Sequence, residues 1–406
     1  MQVTPFPRHD DLSLIGRTTP LFEEDVSAHE SELRKHISSS RILIIGGAGS
    51  VGQAVTKELL NRGPAALHVV DVSENALAEL VRDVRSSRAT GATDFRLFCV
   101  DCGDEEFEAL CRTEDPYDYV LYLAALKHVR SEKDPFTLMR MIRVNVLDVM
   151  RALELTEHPE RRKFFAISTD KAANPINAMG ASKAVMEAVL SARALQTTIS
   201  KVRLANVAFS NGSLPQAFRE RIRKGQPIAA PADVRRYFIT ESEAAHLCMM
   251  SMILAATGET FYPKRGPGLV LQTLADVAHR YLGSLGLEPA PCANDEEARR
   301  SLEALAAQGK WPIVYPATDT TGEKTEEEFV EVDANLDSER FGGIGVIRSK
   351  PLDETGLPSA VQDFVIKIHA FMDQKSWSRA DLLEALHTAV PGFRHYETGK
   401  FLDQKM

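Results

Sequence analysis

The chain has 406 residues, 44% hydrophobic and 26% charged. That composition excludes wholesale disorder, and at about 150 residues per domain it predicts two or three domains, or one core with appendages. The 48 basic and 57 acidic side chains leave a net charge of −9, which argues against nucleic acid or an anionic membrane as the main partner.

Residues 1–40 are rich in Pro, Ser and charge, with one helical stretch at Glu30–Ile37. They read as a docking arm or a disordered leader. Arg41–Ile45 is a continuous apolar run, as in a strand buried on both faces. Gly46–Gly52 follow, then helical spacing over Gln53–Asn61. The strand Leu67–Val70 ends at Asp71, and a helix is predicted over Glu74–Arg85. The strand Phe95–Val100 ends at Asp101. The strand Tyr119–Leu123 runs into Ala124 and Ala125, and a long helix is expected over Phe136–Leu155. The strand Phe164–Ile167 runs into Ser168–Lys171, followed by a helix over Gly180–Leu195 and a strand over Ile199–Leu204. This alternation predicts an α/β fold, a Rossmann-type doubly wound parallel sheet with ligands at the carboxyl ends of its strands.

From Val207 onward, prolines break the rhythm. We therefore divide the chain into an N-terminal extension (1–40), an NAD-binding Rossmann domain (41–205), a smaller substrate-binding region (206–330) and a C-terminal extension (331–406). The third part contains an Ala- and Glu-rich helical insertion near 287–310. The last carries helices over Leu357–Phe371 and Ser378–Ala389. Met249, Met250 and Met252 read as core packing. The five cysteines, at 99, 102, 111, 248 and 292, lack metal-ligand spacing, so free thiols and no metal are expected. No apolar run reaches the roughly 18 residues of a membrane span, and Met1–Asp10 lack an apolar core. A transmembrane helix and a secretory leader are not expected, and the expected location is cytoplasmic.

Gly46, Gly49 and Gly52 lie between a strand and a helix. In that context the first permits a tight turn, the second a close approach to a pyrophosphate, and the third close helix–sheet packing. The helix start at Ser50 and Val51 supplies N–H donors. Asp71, ending the next strand, suits the hydroxyls of an adenine ribose, so NAD is expected over NADP, with Arg82 and Arg85 downstream.

The G-x-x-G-x-x-G spacing, with Asp101 and Ala124-Ala125 at strand ends, resembles the extended short-chain dehydrogenase/reductase superfamily. The resemblance places Asp101 and Cys102 by the adenine and Ala124 and Ala125 by the riboses. Ala125–Val129, Ser168–Lys183, Asn206–Ser213 and Arg236–Thr240 match one branch of it, as does Thr321–Lys324. Together they resemble the UDP-N-acetylglucosamine 4,6-dehydratases of bacterial polysaccharide biosynthesis, chiefly over 41–260.

The resemblance implies that hydride leaves C4 of the sugar for NAD, that the C5 proton and C6 hydroxyl depart as water, and that hydride returns to C6. It implies Thr169 at the C4 oxygen, Asp170 as acid to the C6 hydroxyl and Lys171 as base at C5. Asp170 would need a raised pKa and Lys171 a depressed one. The other reading is that the two simply pair. Lys183 would hold the nicotinamide ribose. Met179 stands where the superfamily has a tyrosine base, so a water, Asp170 or Lys171 relays the C4 proton. Substrate contacts are expected at Asn206, Ser210, Ser213, Arg236 on a diphosphate and Glu323 on a ribose, with Arg235 as a substitute for Arg236. Lys127 reaches the substrate or anchors a loop, and His128 fixes backbone. The rest of the 323–328 charge run reads as a solvated helix start. Thr320-Thr321 replace an arginine of the family pattern, which leaves a GDP sugar open. A nucleotide-sugar epimerase and a non-catalytic protein that binds NAD or a nucleotide sugar stand beside the dehydratase as competing functions. In the superfamily the helices over 136–155 and 180–195 pair two copies, so a homodimer or higher oligomer is expected.

Overall fold

The computed structural model describes residues 11–87, 94–194, 197–324, 326–348 and 357–400. The expected leader segment Met1–Asp10 and the expected helix end at Leu195 lie outside them.

Six strands build the first part of the main sheet: β1 (Arg41–Ile45), β2 (Ala66–Asp71), β3 (Asp94–Cys99), β4 (Tyr119–Tyr122), β5 (Lys163–Thr169) and β6 (Ile199–Leu204). All pair in parallel in the spatial order 3-2-1-4-5-6. Thr260–Pro263 continues the sheet in parallel beside β6, and Ile344–Arg348 and Asn335–Asp337 close it antiparallel. The apolar runs are the reason for this arrangement. Ile42, Leu43, Ile44, Val120 and Leu121 are wholly buried, which only helices on both faces achieve. The strand order reverses between β1 and β4, opening a crevice at their carboxyl ends.

Two three-stranded sheets flank that crevice. One joins Asn206–Val207, Arg235–Ile239 and Leu271–Thr273. The other joins Ile228–Ala229, Lys310–Val314 and Glu288–Pro291. The insertion near 287–310 is thus a strand–helix–strand unit around the helix Asp295–Ala306 rather than helix alone. Short, proline-bearing strands carry little helical or alternating signal, which hid them.

From Phe22 onward the N-terminal extension is integrated into the core. The helix Glu23–Ser38 buries Leu33 and Ile37 completely, as Phe22 is before it. Asp25 accepts hydrogen bonds from the main-chain nitrogens of Gly342 and Gly343, both at 2.7 Å.

The expected long helix over 136–155 is interrupted. Pro135–Ile142 and Asp148–Leu155 are α-helical, and Arg143–Leu147 forms a π turn. The helices Ser359–Gln374 and Arg379–Ala389 pack on this segment and on the helix Ala178–Arg193. Phe364, Ile368, Leu382 and Leu386 meet Ile142, Val185 and Val189 in one apolar cluster. The chain's own tail therefore covers apolar side chains of both helices expected to pair two copies.

Candidate active site

A cavity of about 920 Å³ opens at the carboxyl ends of β1, β4, β5 and β6. The glycine loop forms one wall. Gly46 has φ +83°, and a Cβ there would lie 2.4 Å from the nitrogen of Ala124. A Cβ on Gly52 would lie 2.4 Å from the carbonyl of Gly46. On Gly49 the nearest atom would be 3.7 Å away, so its hydrogen faces open space. The first and third glycines hold the loop together, while the second leaves room for a ligand to approach. The helix Ser50–Leu60 begins there, and Gly49, its N-cap, makes no side-chain cap. Free N–H groups at the start of a helix attract phosphate.

Asp71 and Asp101 line the same cavity. Asp71 accepts hydrogen bonds from the nitrogens of Ala48 at 2.9 Å and Ser73 at 3.0 Å, so it also ties the glycine loop to β2. Asp101 accepts from the nitrogen of Gly103 at 3.0 Å and faces Arg143 at 3.5 Å. Ser50, Val51, Cys102, Ala124 and Ala125 complete this end. Burial pushes the Cys102 thiol up to about 12, so it is an apolar wall here rather than a nucleophile.

At the other end, Thr169 donates to Asp170 Oδ1 at 2.8 Å, and Lys171 Nζ donates to the same oxygen at 3.1 Å. Glu327 Oε1 lies 3.6 Å from Lys171 Nζ. Burial alone would lower the Lys171 ammonium, but Asp170 and Glu327 outweigh it and raise its pKa. This corrects the expected depression, because two carboxylates flank the amine. Lys183 behaves differently. Burial pulls it down to about 8 against the opposing pull of Glu187, and its amine donates to the carbonyl of Ile167 at 3.1 Å. Met179, 3% exposed, lines the cavity without a polar atom.

The remaining expected residues also border the cavity: Lys127, His128, Asn206, Ser210, Ser213, Arg236 and Glu323. Some of their side chains are already engaged. Arg236 and Glu323, expected to take different parts of a ligand, bind each other at 2.6 Å. Ser213 caps the helix Leu214–Arg223 by accepting from the nitrogen of Gln216 at 3.2 Å. Lys127 donates to Ser210 Oγ at 3.4 Å, and burial lowers its pKa. Arg235 is exposed and faces Glu326, so it does not substitute for Arg236. His128 packs under Gly212, where a Cβ would lie 2.6 Å from its ring.

Two residues escaped the sequence reading. Asn145, fully buried in the π turn, accepts from the nitrogen of Leu126 and donates to its carbonyl and to Ser182 Oγ, all within 3.1 Å. A lone Asn in an apolar helical pattern was its signal. Glu327 belongs to the run read as a solvated helix start. The segment is irregular, Glu327 is 2% exposed, and Glu326 and Glu328 point to solvent. Its signal was Phe329 two residues on, which shares its buried face.

A family model described as "Polysaccharide biosynthesis protein" matches residues 42–348. An uncharacterized membrane protein of Methanocaldococcus jannaschii is 35% identical over 58% of this chain and 69% of its own length. A UDP-N-acetylglucosamine 4,6-dehydratase (inverting) of Campylobacter jejuni is 28% identical over 61% of this chain and 74% of its own. Among solved structures, Pen from Bacillus thuringiensis superimposes with a TM-score of 0.63 at 22% identity, covering 84% of this chain and 98% of that one. Among the described residues, no helix is long and apolar enough to cross a membrane.

Proposed function

This chain belongs to the polysaccharide-biosynthesis branch of the extended short-chain dehydrogenase/reductase superfamily, and from that premise we propose that it is a nucleotide-sugar 4,6-dehydratase acting on UDP-N-acetylglucosamine. The observation that carries this reading is the cluster at the end of β5. A hydroxyl, a carboxylate and an amine stand in hydrogen-bond contact, in the same cavity as a glycine loop with room for a pyrophosphate at Gly49. An oxidoreductase with no second step has little use for an acid and an amine side by side.

The cavity suits a nicotinamide dinucleotide, with Gly49 and Ser50 at its phosphates and Asp71 at its adenine ribose. When bound, that group supplies reversible hydride storage. NAD is favoured over NADP because neither Arg82 nor Arg85 lines the cavity and Arg82 is turned toward Glu79. Thr169 orients the C4 hydroxyl and passes its proton to Asp170 through their shared hydrogen bond. Asp170 then protonates the departing C6 hydroxyl, and Lys171 receives the C5 proton. Arg236 turns from Glu323 toward a diphosphate, which frees Glu323 for hydroxyls of the ligand.

Proton NMR of the protein with UDP-N-acetylglucosamine and NAD in D₂O tests this, with the GDP sugar in a parallel tube. A new C6 methyl signal with deuterium at C5 is expected from the first. Exchange at C5 without a methyl signal would replace the reading with an epimerase. No change in either tube would reject catalysis on these sugars.

A further inference from the structure

Glu327 has no part in the steps above, yet it touches the residue that removes the C5 proton. Its Oε1 lies 3.6 Å from Lys171 Nζ and its Oε2 is 4.0 Å from Lys324 Nζ. That Oε2 is buried without a hydrogen-bond partner, as is Asp170 Oδ2. Asp170 and Glu327 are 1% and 2% exposed. Burial pushes the Glu327 carboxyl up, against the pull of Lys171 and with the push of Asp170. Arg236 and Lys324 are the other charges that act on it. Arg265 reaches only its main-chain carbonyl.

Counting protons gives this arrangement a purpose. Dehydration moves two protons, one from the C4 hydroxyl and one from C5. The first leaves with the C6 hydroxyl as water, and the second returns to C5. Met179 carries neither. Asp170, joined to Thr169, takes the C4 proton and delivers it to C6. Lys171 must therefore meet C5 as a free amine while Asp170 is already protonated. Its own proton needs another acceptor, and Glu327 is the carboxylate within reach.

We propose that Glu327 is a positioning residue that takes a proton from Lys171, so that Lys171 approaches C5 as an amine. This rests on the dehydratase reading. An N–H bond of the Lys171 ammonium breaks as an O–H bond forms on Glu327. The C5–H bond breaks as an N–H bond forms on Lys171. The C6–O bond breaks as the Asp170 proton moves to that oxygen, and water leaves. Lys171 then returns its proton to C5 and recovers the one on Glu327. No outside acid or base is consumed.

The test compares wild type with Glu327→Gln, which keeps shape and removes the proton site, and with Glu327→Asp, which keeps the site. With UDP-N-acetylglucosamine, wild-type kcat is expected to be flat between about pH 6 and 9. Glu327→Gln should fall about a hundredfold at neutral pH and recover about tenfold per pH unit, as Lys171 must lose its proton to solvent, with KM nearly unchanged. Glu327→Asp should regain part of the rate and the flat profile. A Glu327→Gln profile parallel to wild type would overturn the proposal. If wild type makes no product from either the UDP or the GDP sugar, the dehydratase reading fails by itself, and the proton coupling is read from ¹⁵N NMR of the lysine amines, with Lys171→Arg to assign the signal. A Lys171 titration at least about one pH unit lower in Glu327→Gln supports the coupling, because one of its two carboxylate neighbours is gone. Coincident titrations overturn it.

Discussion

Lys183 is a burden on the fold that the site requires. Its amine is buried, and burial lowers its pKa from an ordinary 10.5 to about 8. Between those values the unfolded chain binds more protons than the folded one, so wild type gains stability as pH rises through that window. Lys183→Met lacks this term. The melting temperature of wild type relative to Lys183→Met should therefore climb from about pH 8 toward 10.5 and stay level below pH 8. At pH 7 the variant is expected to melt no lower than wild type, while calorimetry with NAD shows at least about a tenfold loss of affinity. The glycines separate in the same way. Gly49→Ala should leave the melting temperature unchanged and weaken NAD binding, because only the ligand would meet the methyl group. Gly52→Ala should lose about 1–3 kcal/mol in urea unfolding, because its methyl group meets the main chain of Gly46. The glycine triplet, Asp71, Asp170 and Lys171 were legible in the sequence because each lies at the end of an apolar run. What surrounds Lys171 was not legible. Glu327 reaches it from a distant, irregular segment and adds to the pull of Asp170 that raises the Lys171 pKa.

The π turn at Arg143–Leu147 shows how one side chain shapes an element. Asn145 sits where an uninterrupted helix would place an apolar residue, and the extra backbone residue aims its amide at the turn after β4. Such bulges often mark functional positions. Asn145→Ala would strip partners from the main chain of Leu126, which precedes Lys127 in the cavity wall. A loss of about 2–4 kcal/mol is expected in urea unfolding, from buried groups left unpaired, together with weaker ligand binding by calorimetry. Periodicity revealed the helix but not its interruption, because the apolar spacing runs through both halves. The six parallel strands were legible for the opposite reason, since each is a short apolar run bounded by polar strand ends. The strands around the cavity's far side are two to five residues long, too short to show an alternating pattern, and only the sheet shows them as strands.

At the scale of the whole molecule, the tail helices cover apolar side chains of the two helices through which the superfamily resemblance pairs two copies. The full chain is therefore expected to scatter light as a single copy. A chain ending at residue 356 should associate, because Ile142, Val185 and Val189 would lose their cover. Light scattering after size exclusion measures both, and a full chain that scatters as a dimer would place the contact on another face. Beyond those helices, the final described stretch runs back to the cavity. The nitrogens of Arg394 and Tyr396 donate to the carbonyls of Pro175 and Ile176, just after the Asp170–Lys171 cluster. The nitrogens of Thr321 and Gly322 donate to the carbonyls of Lys400 and Tyr396, just before Glu323. His395 meets the buried Glu132 at 3.3 Å, and Glu132 in turn accepts from the nitrogen of Ala178, where the helix bearing Met179 and Lys183 begins. A ribosome makes this strap after every residue it fastens. A nascent chain still lacking residues 394–400 can complete the sheet, the glycine loop and the Lys171–Glu327 contact, but the main-chain bonds that this stretch makes to both halves of the reaction centre form only once it emerges.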